Sequence, residues 1–309
     1  MIKVFEKIKL KLWSLVYSPI FNYKYWKIRS QRELFNILNS QETVEYIIKN
    51  HCSVSRYGDG ELAMIYHYLN NGTKDNFYIK AFQDYDKNLA KALYKILVNP
   101  IKCHKVAIPF GIKSVSDYIG TERIFWQRFV ILDIDRFSRL FNKNELYLNA
   151  AFTRFYLNHK KYNIEKYISD LKKIWDNRHI CIIEGEKSRL GVGNDLFANA
   201  KNISRILCPA TNAFSSHDAI ISAVRENKKY ELYLIALGHT ATVLAYELAE
   251  QNYWAIDIGH IDIEYEWYLL KAKSKVAIQN KYVNEIPEGR ICSDCNDETY
   301  QSQIIVKLL

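Results

Sequence analysis

Short apolar runs alternate with helical hydrophobic patterns along much of the chain. Apolar runs of this kind are typical of buried strands, and apolar residues recurring every three or four positions are typical of helices. Helical patterns over 194–202, 213–227 and 240–251 separate the last four runs. This alternation predicts right-handed βαβ units and a mainly parallel sheet. The runs cover residues 105–110, 179–184, 205–208, 231–237 and 254–258.

The first half of the chain is richer in helical patterns, and Ser53–Arg56 is the one short strand that we predict near its start. We find no linker rich in Pro, Gly or Ser and no internal repeat. The sequence therefore predicts one α/β, Rossmann-like domain over residues 41–309, with a helical N-terminal portion and an arm over residues 1–40. The helical patterns of this half cover residues 30–50, 61–70, 84–98, 121–140 and 164–177.

The positive charge is concentrated at the N-terminus. Residues 1–32 contain eight basic side chains and one acid, Glu6, so they carry +7 of the net charge of +9. A nucleic-acid-binding protein would spread a basic face over the folded domain, so we expect no nucleic-acid partner. The remaining 277 residues are close to neutral.

The same segment predicts an amphipathic helix that ends at Pro19. Its longest uncharged run is too short to span a bilayer, and no signal-peptide cleavage site follows it. Either residues 1–29 lie on the inner face of the cell membrane, or the helix packs on the domain with its lysines in solvent. We expect a cytoplasmic protein. The apolar side of this predicted helix comprises Phe5, Ile8, Leu12, Leu15 and Val16.

The six cysteines indicate a reduced protein. Cys52, Cys103, Cys181 and Cys208 lie in or beside apolar stretches, where a free cysteine behaves as a small hydrophobic residue. Only the pair at 292 and 295 has a spacing seen in zinc sites, and a single pair without a nearby histidine is weak evidence for a metal.

Polar residues follow four of the predicted strands. In parallel sheets ligands bind at the carboxyl ends of the strands, so these segments are the candidate site. All four contain at least one glycine, which permits a tight turn. The segments are 57–61, 184–195, 238–240 and 259–267.

The first of these segments places two carboxylates close together. Asp59 and Glu61 are two positions apart, and the glycines at 58 and 60 let the backbone turn and approach a ligand. Two such carboxylates suit Mg²⁺ or Mn²⁺ bound with substrate phosphates, which Arg56 would also contact. The alternative is a turn in which Glu61 starts a helix and Arg56 pairs with Asp59.

The segments at 184–195 and 238–240 are candidates for binding a diphosphate. Both resemble anion sites built from glycines, basic side chains and a helix N-terminus, although neither matches the P-loop or the dinucleotide-binding pattern. Many turns between a strand and a helix look like 238–240 and bind nothing, so the 184–195 segment is the stronger of the two candidates. The candidate binding residues, together with Arg56 and Gly58, are Glu184, Gly185, Lys187, Arg189, Gly193, Asn194, Asp195, Gly238 and Thr240.

Six stretches together resemble the GT-D type glycosyltransferases, a family long classed as a domain of unknown function. They occur in the family's order between about residues 52 and 270, and residues 281–285 fit its tail. Residues 1–40 lie outside the resemblance. The stretches are SRYGDGE (55–61), NAAFTRFY (149–156), IIEGEKSRLGVGNDLF (182–197), CPATNAF (208–214), LIALGHTATVLAYELA (234–249) and AIDIGHIDIEYEW (255–267).

The resemblance implies metal-dependent transfer of a hexose, typically glucose, from a UDP-sugar to a sugar acceptor in bacterial glycan, capsule or glycoprotein assembly. The family's Asp-x-Glu motif falls on Asp59 and Glu61, which are then the ligands of Mn²⁺ or Mg²⁺. One departure is His239, where many relatives are expected to have proline. The basic arm suggests that the acceptor is lipid-linked.

A base is needed if the acceptor hydroxyl attacks the sugar directly. Our candidates are Asp262 and Glu264, with His260 as a base or a third metal ligand. The alternative for this segment is an acidic first turn of a helix above Trp267. Two other functions remain open: a non-catalytic nucleotide- or glycan-binding protein of the same fold, and another nucleotide-dependent α/β transferase.

Overall fold

The computed structural model describes residues 18–70, 83–157, 159–160 and 163–309. Within these residues, nine strands form one sheet in the order β1-β4-β3-β2-β8-β7-β5-β6-β9, and neighbouring strands pair in parallel. The strands are β1 (Asn36–Ile37), β2 (Ser53–Arg56), β3 (His104–Ile108), β4 (Leu146–Asn149), β5 (His179–Gly185), β6 (Asn202–Cys208), β7 (Leu232–Ala236), β8 (Ala255–Asp257) and β9 (Ile304–Lys307).

Helices cover both faces of the sheet. Alternate residues of β5 show this: Ile180 and Ile182 belong to one apolar cluster, and Cys181 and Ile183 belong to another on the opposite face. The α-helices are α1 (Arg29–Arg32), α2 (Ser40–Asn50), α3 (Asp59–Leu69), α4 (Lys87–Val98), α5 (Gly120–Leu140), α6 (Ile164–Lys172), α7 (His217–Glu226), α8 (His239–Glu250), α9 (Ile261–Leu269) and α10 (Glu298–Gln303).

The predicted α/β class and parallel sheet are confirmed. All six predicted strands are present, and the predicted helices over 61–70, 84–98, 121–140, 213–227 and 240–251 correspond to α3, α4, α5, α7 and α8. Three strands were not predicted. β1 has only two residues, β4 is short with polar flanks, and β9 alternates between half-buried and exposed positions. None of the three has the long apolar run that marks a central strand.

The predicted helix over 194–202 is wrong. Gly193 has a φ of +79°, and the side chain of Asn194 accepts a hydrogen bond from the backbone N–H of Leu196. The carbonyl of Leu196 in turn accepts from the indole of Trp175. These tertiary and side-chain bonds replace the helical ones, so the segment runs as successive turns.

The strand order brings the four predicted polar segments together. β2, β8, β7 and β5 are consecutive neighbours in the sheet, and their carboxyl ends lead into the segments that begin near residues 57, 259, 237 and 185. Because all four strands run in the same direction, these segments share one edge of the sheet.

Part of the predicted arm belongs to the domain. Residues 18–27 are helical, Tyr25 and Phe35 are buried, and β1 extends the sheet by pairing with β4. The domain therefore begins before the predicted boundary at residue 41. The predicted amphipathic helix around Phe5 to Val16 lies outside the described residues.

Across the part of the chain that the structure describes, none of the helices is both long enough and apolar enough to cross a membrane. The cysteines are free; Cys52, Cys181 and Cys208 are buried as expected, whereas Cys103 is exposed.

Candidate active site

The carboxylate pair lies at the N-terminus of α3. Gly58 precedes the helix in an extended conformation, Asp59 is its first residue, and the Glu61 carboxylate accepts a hydrogen bond of 2.7 Å from the Gly58 N–H. Asp59 is open to solvent, but protein around its carboxyl partly excludes water. This desolvation, followed by the charge of Glu61, raises the pKa of Asp59.

Arg56 does not pair with Asp59. Its Nη1 lies 3.4 Å from Oδ1 of Asp257, and its Nε donates to the carbonyl of Ala150 at 2.8 Å. A Cβ at position 259 would come within 1.9 Å of Nη1, so only Gly259 leaves room for this guanidinium. These contacts exclude the pair of Arg56 with Asp59 in the alternative interpretation, whereas the other part of that interpretation, a helix that starts around Glu61, is confirmed. They also make Arg56 a link between β2 and β8 rather than a free phosphate ligand.

Two helix N-termini meet beside the carboxylates. A Cβ on Gly60 would lie 2.8 Å from Nε2 of His239, the first residue of α8, so glycine is required for this close approach. Nε2 of His239 is also 3.8 Å from Oε1 of Glu61. Gly238 has a φ of +55°, and Thr240 is fully buried in the first turn of α8. Both helix dipoles thus direct their positive ends toward this place.

Arg154 is the central cation of the cleft. Its Nη1 is 2.7 Å from Oε1 of Glu285, and its Nη2 is 3.1 Å from Nδ1 of His260. Lys275 also contacts Glu285, at 2.6 Å. Burial alone would raise the pKa of Glu285, but the charge of Arg154, followed by His260 and Lys275, lowers it. The positive charge of Arg154 also acts on Asp59.

His260 is a neutral side chain that orients Arg154. Its Nδ1 accepts from Arg154 and its Nε2 lies 3.0 Å from Oδ1 of Asn284, which it reaches as a donor. Burial, followed by the charge of Arg154, lowers the pKa of His260 to about 4. With Nδ1 already engaged and basicity reduced, His260 is poorly suited to take a proton.

A pocket opens between the carboxyl ends of β5, β6, β7 and β8. Its walls contain backbone from the turns after these strands and several uncharged polar side chains. Gly238 connects the pocket to the N-terminus of α8, and His260 connects it to Arg154. The uncharged polar lining residues are Ser188, Thr211, Asn212, Tyr282 and Asn284, and the lining also includes His260 and Asp262.

The two carboxylates proposed as bases are occupied by hydrogen bonds. Asp262 accepts from the Gly191 N–H and from Asn194 at 2.8 Å each, and from Lys281 at 2.7 Å. Asp262 and Glu264 are each 2% exposed, so little of either carboxylate is open to solvent.

Glu264 is similarly occupied. It accepts from the N–H groups of Tyr156 and Leu157 at 2.9 and 3.0 Å. The geometry therefore argues against both carboxylates as the base and favours the alternative of an acidic helix start.

Most of the candidate binding residues in the 184–195 segment instead stabilise the conformation of the segment. Glu184 is fully buried, bonded to Arg205 of β6 and to the N–H of Leu190 at 2.7 Å. Arg189 is 5% exposed and donates to the carbonyl of Asn280 at 2.7 Å.

Three of the remaining candidates in this segment are also accounted for structurally. Asn194 binds Asp262 and Glu266, Asp195 binds Lys172 and Tyr265, and Gly193 adopts a positive φ in the turn. Gly185 lines the pocket, and Lys187 is exposed.

Asp59 and Glu61 fit the needs of a hard divalent cation. Among the described residues no Lys or Arg forms an ion pair with Asp59, and no three His, Cys, Asp or Glu side chains gather as a ligand cluster. Burial raises the pKa of Asp59 and the charge of Glu61 raises it further; a cation would relieve the repulsion between the two carboxylates. Magnesium and manganese typically take one or two carboxylates and complete their shell with phosphates and water.

Sequence reasoning missed three site residues. Asp257 is the last residue of β8, while Arg154 and Glu285 lie in stretches without a regular predicted element. Arg154 follows the unpredicted strand β4, so nothing placed it at the carboxyl edge of the sheet. Its position two residues before Tyr156, inside a stretch that resembles the family, was the one available signal.

Comparison with protein families and curated proteins gives one consistent result. The model of the glycosyltransferase GT-D fold matches residues 54–286. The "Glycosyltransferase GlyD" of Streptococcus pneumoniae serotype 4 is 32% identical over 280 residues, which is 90% of this chain and 33% of that protein. The "Probable glycosyl transferase Gly" of Streptococcus gordonii is 31% identical over 275 residues, 88% of this chain and 39% of that one. The chain thus spans a little over a third of these relatives.

Solved structures share the fold. A domain of unknown function 1792, described as having a distinct glycosyltransferase fold, is 34% identical with a TM-score of 0.81, over 91% of this chain and 99% of that one. A structure described as a new glycosyltransferase of the same domain from Streptococcus sanguinis is 31% identical with a TM-score of 0.80, over 89% and 100% of the two chains.

The buried ion pair of Glu184 and Arg205 makes a stability prediction. Glu184→Gln leaves the Arg205 charge uncompensated in the interior, so we expect the free energy of unfolding to fall by about 3–5 kcal/mol. Urea unfolding at pH 7 measures it. The matched control is Lys166→Gln, which removes an exposed lysine from its pair with Asp170; because Lys173 still pairs with Asp170, the change should cost less than about 1 kcal/mol. Equal, small losses in both variants would contradict the structural role of Glu184.

The titration of Asp257 predicts how the stability of the protein depends on pH. Burial, followed by the charge of Glu61, raises the pKa of Asp257 to about 6 although Arg56 opposes the shift. The fold therefore favours the neutral carboxyl, whose contribution to stability is present below pH 4 and is lost as the pH rises through 6. Relative to Asp257→Asn, the wild type should lose up to about 3 kcal/mol of unfolding free energy over this window and stay level above pH 7.

The control for this titration has the opposite sign. Hydrogen bonds from Lys166 and Lys173 lower the pKa of Asp170, so its contribution to stability should grow as the pH rises toward about 4 and stay level above that pH. Unfolding curves at several pH values compare the wild type with Asp257→Asn and Asp170→Asn. Parallel stability profiles for the wild type and Asp257→Asn would rule out the proposed titration.

Proposed function

The chain belongs to the family of glycosyltransferases with the GT-D fold, and on this premise we propose that it transfers a hexose from a UDP-sugar to a sugar acceptor. Glucose is the first candidate for the hexose, and bacterial glycan, capsule or glycoprotein assembly is the proposed setting. One observation carries the proposal: a carboxylate pair, the N-termini of α3 and α8, and Arg154 lie together beside one pocket.

The pocket suits the nucleotide part of the donor. Its backbone-rich walls and its mainly uncharged polar groups can accept hydrogen bonds from a base and a ribose and donate hydrogen bonds to them, and the one carboxylate in the lining, Asp262, is paired with Lys281. Asn284 is held in place by His260, and Tyr282 by a backbone hydrogen bond to the carbonyl of Lys187. These two side chains are thus preorganised on the pocket wall.

The donor diphosphate would then lie at the start of α8. The N–H groups at the start of α8 point toward this position and can donate hydrogen bonds to phosphate oxygens, and the helix dipole favours the negative charge of the phosphates. Arg154, oriented by Glu285 and His260, supplies a fixed positive charge next to this position. Lys187, which is exposed at the segment after β5, is a further candidate contact.

A divalent ion held by Asp59 and Glu61 would offset the charge that develops on UDP as it leaves. Contacts within the chain hold the carboxylates and the neighbouring strands in position for this role. The close contact of Gly60 with His239 fixes the carboxylates against the start of α8, and Arg56 fixes the end of β2 against β8. Asp262 and Glu264 maintain the walls, and we do not propose either as the base.

The carboxylate pair is tested by conservative substitution. Asp59→Asn and Glu61→Gln should each lower Mn²⁺-dependent UDP release from UDP-glucose about a hundredfold or more, because the charge that binds the cation is lost. The melting temperature should change little for Asp59→Asn, since Asp59 is exposed. The assay is run with Mn²⁺ and with EDTA.

The control is Glu226→Gln, an exposed glutamate at the end of α7, which should release UDP at the wild-type rate. Full activity of either site variant in saturating Mn²⁺ would remove that residue from the metal site. A wild-type protein that binds UDP-glucose but releases no UDP would instead favour the non-catalytic nucleotide-binding function. Tight binding of another nucleotide would favour another transferase.

Arg154 is tested by Arg154→Lys. Lysine retains the charge but cannot contact both Glu285 and His260 while directing donors at a phosphate, so we expect UDP to bind at least about tenfold more weakly. Calorimetric titration with UDP and Mn²⁺ measures the affinity. Arg178→Lys is the control, because Arg178 stacks on Trp254 near the opposite edge of the sheet. Unchanged UDP affinity in Arg154→Lys would exclude Arg154 from phosphate binding.

A further inference from the structure

The helical stretch over residues 18–27 exposes large apolar side chains on its outer side. Trp26 is 62% exposed, Tyr23 is 60% exposed, and Ile20 is 47% exposed. The rings of Tyr23 and Trp26 stack with their centroids 6.1 Å apart. Leaving three such side chains in water is unfavourable, and a cluster of exposed apolar groups commonly marks a contact surface.

This stretch is fixed firmly to the domain. The hydroxyl of Tyr25 donates to the carbonyl of Gly111 at 2.7 Å. Arg32 stacks on the Tyr25 ring at 3.6 Å and donates to the carbonyls of Tyr25 and Lys113. The aromatic side chains are therefore presented from a rigid support rather than from a loose arm.

The neighbouring helix α5 adds to the same surface. It contacts the N-terminal helices through hydrogen bonds of Gln127 with Asn22 and of Gln31 with Asp135. Beside these contacts its exposed residues Phe125, Arg128 and Leu132 follow one another at spacings of three and four, which places them on one stripe of the helix. We call the exposed residues 20, 23, 24, 26, 27, 125, 128 and 132 the N-terminal face.

The N-terminal face is basic as well as apolar. Lys24, Lys27 and Arg128 are exposed on it. Residues 1–17, which the structure does not describe, add four lysines and one acid in sequence, whereas residues 33–309 are close to neutral. Tyrosine and tryptophan favour the boundary between headgroups and acyl chains, and each lysine near an anionic surface strengthens binding. An anionic membrane surface therefore matches this combination of positive charge and aromatic rings better than a protein partner of ordinary composition would.

The residues that anchor the N-terminal face to the domain lie near the candidate active site. Gly111 and Lys113 follow β3, whose carboxyl end lies beside that of β2. Burial raises the pKa of Glu122 at the start of α5, and Arg154 is close enough to Glu122 for its charge to oppose that rise. A membrane bound at the N-terminal face would therefore adjoin the edge of the sheet that carries the cleft.

We propose that the N-terminal face binds the surface of a membrane that contains anionic lipids. Tyr23 and Trp26 enter the headgroup region, and Lys24, Lys27 and Arg128 pair with lipid phosphates. The contact is peripheral and reversible, and it goes beyond the transfer reaction because the catalytic residues take no part in it.

The test is sedimentation of the full chain with vesicles of phosphatidylcholine alone or mixed with phosphatidylglycerol. The wild type should bind the mixed vesicles and lose binding when salt is raised. Tyr23→Ser with Trp26→Ser should partition roughly tenfold more weakly. Lys24→Glu with Lys27→Glu should also partition at least about tenfold more weakly.

Two matched controls keep the result specific. Ile291→Ser with Leu309→Ser removes equally exposed apolar side chains elsewhere, and Lys91→Glu with Lys95→Glu reverses two exposed lysines one turn apart on α4. Both should bind mixed vesicles like the wild type. Every variant should keep its melting temperature and its affinity for UDP with Mn²⁺, so that loss of the contact is separated from loss of the nucleotide site.

Four results would overturn the proposal. The first is a wild-type protein that does not bind the mixed vesicles, and the second is control variants that lose as much binding as the variants of the N-terminal face. The third is a loss of binding on deletion of residues 1–17 while the protein with Tyr23→Ser and Trp26→Ser binds normally. The fourth is concentration-dependent self-association that the Tyr23 and Trp26 substitutions abolish without any vesicle binding. That outcome would assign the face to a second copy of the chain.

Discussion

The pairing of β2 with β8 is the constraint on which the site depends. Val54 lies opposite Ile256, and side chains reinforce this register: Ser53 accepts from the Ala255 N–H, and Trp254 donates to the carbonyl of Cys52. The two strands come from opposite halves of the chain. Because they are held together, the helices that follow them, α3 and α9, begin at the same edge of the sheet, and Arg56 meets Asp257 there.

The electrostatics of that edge follow from this arrangement. Asp59, Glu61, Asp257 and Glu285 bring more negative charge into the cleft than the arginines beside them can neutralise. Such a cleft would repel a diphosphate by itself. Burial is the first cause of the raised pKa values of Asp59 and Asp257, and the charge of Glu61 raises both further; a bound cation would relieve this repulsion. The proposed metal dependence would explain why these carboxylates lie beside two helix N-termini, which are suited to binding phosphate.

Acidic residues of similar appearance in the sequence have different roles in the structure. Asp59 starts a helix and remains open to solvent, whereas Asp262, also in the first turn of a helix, is saturated by Gly191, Asn194 and Lys281. The partners of Asp262 lie far away in the chain. No local pattern reveals them, so sequence reasoning assigned chemistry to a carboxylate whose work is to hold a loop against a helix.

The sequence by itself determined the central architecture and the motif. Long apolar runs identify β5 and β7, since strands buried on both faces need apolar residues at every position, and Asp59 with Glu61 is recognisable because glycines and carboxylates are close in the chain. Only the tertiary structure decided the rest. Edge strands such as β1 are short, the turns around Asn194 replace a helix through distant hydrogen bonds, and Arg154 reaches the cleft because β4 carries it there. Each of these depends on partners that folding supplies, and such partners leave no periodic signal along the chain.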